Sequence, residues 1–165
     1  MFKSLKKMFK SEPKTMSVKS PAEGKTIPMS EVKDPTFAQE LLGPGIAVCP
    51  RKGRIVSPID GTVTMVFDTK HAVCVQSDEG VEIIVHAGLD TVQLKGKHYT
   101  AKKKAGDKVK AGDVLLELDL DAITKAGYDV TTPVVITNLG GCKISECFTN
   151  KEVKEGEEVM RLEEK

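Results

Sequence analysis

Short strand-like runs, each closed by turn residues, leave this chain little choice of architecture. β-Branched and apolar runs stand at Ile46–Cys49, Arg54–Ser57, Thr62–Phe67, Ala72–Gln76, Val81–Val85, Val92–Leu94, Val114–Leu120, Val134–Thr137, Cys142–Phe148 and Val159–Leu162. Between them lie Pro58-Ile59-Asp60-Gly61, Ser77-Asp78-Glu79-Gly80, Gly106-Asp107, Gly112-Asp113, Asn138–Gly141 and Gly156, residue types that reverse a chain. Many short strands at close spacing predict an all-β fold, an antiparallel sandwich or barrel. Only two short helices are expected. Asp34 suits the cap of the first, with Pro35 at its first position, Phe37 and Leu41 paired on one face, and Gly43 as the left-handed exit. The second is expected over Asp121–Ala126, with Asp121 as cap and Gly127 as exit.

With 165 residues the chain has length for one domain, and a domain of this size buries enough surface to be stable without disulfides or metal. The net charge of +1 gives no case for nucleic-acid binding. Cys49, Cys74, Cys142 and Cys147 form no CxxC pair, so free, buried thiols in a reducing cytoplasm are expected. No apolar run suits a secretory signal or a membrane span, which gives a cytoplasmic expectation. Residues 1–17 read as a basic segment and linker, with the folded domain over 18–165. Within Met1–Lys10, wound as a helix, Phe2, Leu5 and Phe9 fall together and Lys3, Lys6, Lys7 and Lys10 fill the other faces. That pattern fits weak contact with an anionic membrane at the inner face of the plasma membrane, or a solvated tail. Val109-Lys110-Ala111-Gly112-Asp113 is echoed by Val153-Lys154-Glu155-Gly156-Glu157.

The chemistry gathers at two of three histidines. His86 ends the run Val81–Val85, and alternation puts Glu82, Ile84 and His86 on one face. His71 opens the preceding run. A turn centred between Asp78 and Glu79 sets the two imidazoles opposite each other, about 5 Å apart. Such a pair can act as a nucleophile with a supporting donor. It can also bind zinc opportunistically, with Asp90 as a third ligand. No dedicated metal site and no cofactor are expected. His98 reads as surface.

Gly80–Val92 resembles the active-site signature of the glucose-type enzyme IIA family of the bacterial phosphoenolpyruvate-dependent sugar phosphotransferase system. Leu42–Val48, Val56–Val63, Thr69–Ala72, Gln93–Gly96 and Thr132–Asn138 match family blocks in the same order. The resemblance implies a β-sandwich with a shallow site. It implies that His86 takes a phosphoryl group from the histidine-containing phosphocarrier protein (HPr) and passes it to a cysteine of a IIB domain of a sugar permease. His71 would stabilise the phosphoryl group and Thr69 would position the pair. Phosphorylation state would also serve to regulate partners. Ile84 and Val92 are the expected docking side chains. The sugar lies outside what a IIA chain touches.

Overall fold

The computed structural model describes residues 13–165. Its strands are β1 (Thr15–Lys19), β2 (Gly24–Pro28), β3 (Gly45–Pro50), β4 (Arg54–Val56), β5 (Gly61–Val66), β6 (Ala72–Gln76), β7 (Glu82–His86), β8 (Tyr99–Ala101), β9 (Lys108–Val109), β10 (Val114–Leu118), β11 (Thr132–Asn138), β12 (Cys142–Cys147), β13 (Glu152–Val153) and β14 (Glu158–Glu164). Two helices, α1 (Pro35–Ala38) and α2 (Leu120–Lys125), complete the elements used below. The all-β expectation holds. An eight-stranded antiparallel sheet runs β13-β2-β3-β11-β7-β6-β5-β9, beside two three-stranded sheets, β1-β14-β12 and β4-β10-β8.

Burial follows alternation. In β7 the inward Ile83 and Val85 are fully buried, while Glu82, Ile84 and His86 are partly exposed. β11 lies between β3 and β7 and is buried from Thr132 to Ile136, as a central strand covered on both faces should be. Ile83, Val85, Val134 and Ile136 belong to one continuous core with Leu115 and Leu116 of β10. Each such side chain contributes about 1.5–3 kcal/mol by leaving water.

The echoed motif is structural. Val109 pairs with Gly61 at one edge of the large sheet, and Val153 pairs with Gly24 at the other. Each is followed by a turn whose carboxylate accepts a main-chain N–H: Asp113 from Lys110 and Glu157 from Lys154. The repeat extends further than the motif. Ser57-Pro58 and Ser20-Pro21 make equivalent corners, in which the serine carbonyl accepts from Gly112 and Gly156, respectively. The two edges of the large sheet are thus finished by the same local device.

Several local expectations are corrected. β1 starts at Thr15, within residues read as linker, and β2 lies where no strand was expected, because the Ser20-Pro21 corner between them resembles loop composition. Val92–Leu94 is a 3-10 turn over Thr91–Leu94, not a strand, entered and left through left-handed Asp90 and Lys95. Asp34 caps α1 as expected, but α1 ends at Ala38 and Glu40 takes the left-handed exit. Leu41 is therefore exposed and does not pair with the buried Phe37. Gly43 does adopt a positive φ, +143°, and is required by crowding as well, since a Cβ there would lie 2.2 Å from the Ile136 carbonyl oxygen. The second helix starts at Leu120, with Asp119 rather than Asp121 as cap, two residues earlier. The four thiols are free, but three are half-buried and Cys147 is exposed, because their strands turn them outward.

Candidate active site

The two histidines meet, but not by the expected register. Gln76 pairs with Glu82 and Ala72 with His86, one residue away from the expected His71–His86 pairing. The cause is the hairpin loop. Ser77 N–H still donates to the Val81 carbonyl, and Gly80 adopts φ +92°, so three residues turn the chain rather than two. Pure alternation would then separate the histidines onto opposite faces. His71 escapes because it lies in the turn before β6, after Lys70 at φ +59°. Its ring reaches within 4.7 Å of His86, centroid to centroid, at 79°.

The pair is walled by phenyl rings. Phe37 of α1 packs 4.9 Å from His86, and Phe67, after β5, packs 5.3 Å from His71. Four rings form one row, Phe37–His86–His71–Phe67. Sequence reasoning took Phe37 as helix packing and Phe67 as the end of a strand. The signal available was weak: both phenylalanines precede a turn by one or two residues.

Hydrogen bonds fix the imidazoles. His86 Nδ1 lies 2.7 Å from the Gly88 carbonyl oxygen. A carbonyl only accepts, so Nδ1 carries the proton and the lone pair of neutral His86 is on Nε2. His71 Nδ1 lies 2.6 Å from Thr69 Oγ1. The expected trio Thr69, His71 and His86 is thus assembled. The backbones are joined as well, since Ala87 N–H donates to the His71 carbonyl at 2.6 Å.

Electrostatics keep both rings uncharged at neutral pH. Burial, and next the neighbouring His86, lower the His71 pKa from 6.5 to about 4. Burial also lowers that of His86, against a partial upward pull from the Gly88 carbonyl, Asp34 and Asp90. The unfolded chain therefore takes up protons near pH 6.5 that the folded chain refuses until well below it. Stability should be full above about pH 6.5 and fall as pH drops towards about 4. A melting-temperature series across that window checks this. His71→Gln, which cannot titrate, should flatten the slope, and an unchanged slope would assign it to other groups.

Ile84 sits half-buried on the His86 face, and Val92 is 45% exposed on the 3-10 turn. Leu41 and Leu42, at 67% and 45% exposure, follow the helix that carries Phe37 and were missed as surface side chains. An adjacent leucine pair just before Gly43-Pro44 was the available clue. Among the described residues no group of three or more His, Cys, Asp or Glu side chains converges, so Asp90 does not join the histidines as a third donor. His98 is half-buried and lines a separate cleft with Arg51, Glu117 and Asp119.

Known proteins resemble this chain along most of its length. A sequence model of the family described as phosphoenolpyruvate-dependent sugar phosphotransferase system, EIIA 1, matches residues 16–141. The glucose-specific EIIA component of Oceanobacillus iheyensis is 43% identical over 157 residues, covering 95% of each chain. The beta-glucoside-specific EIIBCA component of Bacillus subtilis is 50% identical over 121 residues, which are 73% of this chain and 20% of that relative. Glucose permease IIA from Mycoplasma capricolum superposes with a TM-score of 0.85 at 35% identity, covering 90% of this chain and 96% of that one.

Proposed function

The chain belongs to the EIIA 1 family of the phosphoenolpyruvate-dependent sugar phosphotransferase system, and on that premise we propose that His86 is its phosphoryl-accepting residue. The observation that carries the reading is the bond from His86 Nδ1 to the Gly88 carbonyl. It leaves Nε2 as the one nucleophilic nitrogen of that ring. In the proposed step the N–P bond of phospho-HPr breaks as a bond forms from phosphorus to His86 Nε2. In the next, that bond breaks and a cysteine thiolate of a IIB domain takes the phosphoryl group. Both transfers depend on in-line geometry and charge stabilisation more than on proton transfer.

His71 is the stabilising residue in this reading. If the Thr69 hydroxyl donates to His71 Nδ1, the other nitrogen carries a proton and can donate to a phosphoryl oxygen. The low pKa of His71 suits the part, because a neutral ring does not trap the anionic group in place. Half-buried Ile84 and exposed Val92, Leu41 and Leu42 offer a small apolar surface, in keeping with the brief encounters a carrier needs. The EIIBCA architecture of the Bacillus subtilis relative supports a IIB partner. Contact of residues 1–10 with an anionic membrane belongs to the proposal too, although those residues lie outside the described structure. Deleting them should remove binding to anionic vesicles, and unchanged binding would remove this part.

The test of the main reading is incubation with labelled phosphoenolpyruvate, enzyme I and HPr. Label should appear on the chain in an acid-labile, base-stable form. Absence of label with active HPr would overturn the proposal.

A further inference from the structure

Two successive peptide groups after His86 are clamped from outside their own strand. The Ala87 carbonyl accepts two buried hydroxyls at once, Tyr99 Oη at 2.6 Å and Thr91 Oγ1 at 3.0 Å. The next peptide joins the Gly88 carbonyl to the Leu89 N–H, and that N–H donates to the Asp129 carbonyl at 2.9 Å. Donation at one end of a peptide polarises the carbonyl at the other and makes it a better acceptor. That carbonyl is the one holding His86 Nδ1.

Between the two clamps, Gly88 has φ +99°, and a Cβ on it would lie 2.5 Å from Thr91 Cγ2 and 3.1 Å from Tyr99 Oη. The hydroxyls and the bare Cα therefore fit against each other. Tyr99 reaches the site from a different sheet. It opens β8 beside Leu118 of β10 and is only 5% exposed. Burial pushes its phenol above the usual value, so it remains an O–H donor over any working pH.

We propose that Tyr99 is a positioning residue for phosphoryl transfer, whose hydroxyl, through the Ala87 and Gly88 peptides, holds His86 in the Nδ1-protonated tautomer with Nε2 free. With two hydroxyl donors the Ala87 carbonyl has both lone pairs engaged. What the second donor adds is direction: with both in place the Ala87 peptide cannot rotate, and the Gly88 carbonyl cannot swing away from the imidazole. Without such an anchor a histidine's tautomer is free to follow whatever bond its other nitrogen finds.

The kinetic arm of this inference rests on the phosphocarrier reading; the spectroscopic arm does not. Tyr99→Phe keeps the ring and removes only the hydroxyl. Imidazole ¹⁵N spectra of the unphosphorylated protein should show wild-type His86 as the Nδ1–H tautomer alone. In Tyr99→Phe a second, Nε2–H population should appear. The rate constant for acceptance from phospho-HPr should fall about tenfold, with the apparent KM for phospho-HPr within about twofold of wild type. Tyr128→Phe, a phenol-to-phenyl change packed against the same core, should alter neither readout. If Tyr99→Phe yields too little folded protein, Thr91→Val removes the other donor and is read the same way. A His86 tautomer unchanged by loss of the Tyr99 hydroxyl overturns the proposal, and so does a changed tautomer with an unchanged rate. Failure of wild type to accept phosphate would instead sink the phosphocarrier reading and leave the tautomer result standing.

Discussion

His86→Ala should abolish labelling from phospho-HPr, with no acid-labile phosphate above background. The expectation follows from the nitrogen inventory of the site. His71 is the other imidazole there, and it is 3% exposed, with Nδ1 engaged by Thr69. His98 lies in a separate cleft. Removing the nucleophile leaves no imidazole at the site with an exposed, unengaged nitrogen to take the group. The variant should remain folded. His86 is half-buried at a strand end, and loss of its contact with Phe37 costs on the order of 1 kcal/mol, a small part of a typical domain's stability. An unchanged circular dichroism spectrum separates lost chemistry from lost fold. Residual stoichiometric labelling of the variant would place the acceptor elsewhere.

His71→Ala should divide the two half-reactions. Acceptance needs a free Nε2 on His86 and in-line approach, and both survive the change. Donation onward needs the phosphoryl charge stabilised while it leaves. Losing one well-aimed donor to such a charge costs roughly 10²- to 10³-fold in rate, so the variant should label and then retain its label when a IIB domain is added. The change also orphans the Thr69 hydroxyl and empties a buried position, at about 1–3 kcal/mol. His71→Gln, whose amide can donate from a similar place, should recover part of the donation rate. Transfer to IIB at the wild-type rate in His71→Ala would dismiss the stabilising role.

The sequence carried the strand content because β-branched runs and Gly-Asp turns are local signals. It also carried the face of His86, since Ile83 and Val85 leave no choice about which side is buried. The register was lost by one residue at Gly80, where a left-handed glycine adds a residue to the turn and nothing in the composition says so. His71 met His86 anyway, through the turn geometry at Lys70. Most partners that define the site came from far along the chain: Phe37 from α1, Tyr99 from another sheet and the Asp129 carbonyl from the loop before β11. No periodicity links such positions. The early strands were hidden differently, by a Ser-Pro corner that looks like linker until it is laid beside its copy at Ser57-Pro58.

The pairing of the first described strand with the last has a consequence for how such a unit can be joined to others. Thr15 lies opposite Glu163, so both ends of the described chain leave from one small sheet. Lys14 and Thr15 share a cleft with Glu79 and Val81, at the far end of β7 from His86. Five residues of extended strand put that exit about 17 Å from the imidazole. A covalent tether leaving from either end of this small sheet would start away from the histidine pair, so the unit can be appended or inserted without rebuilding the site.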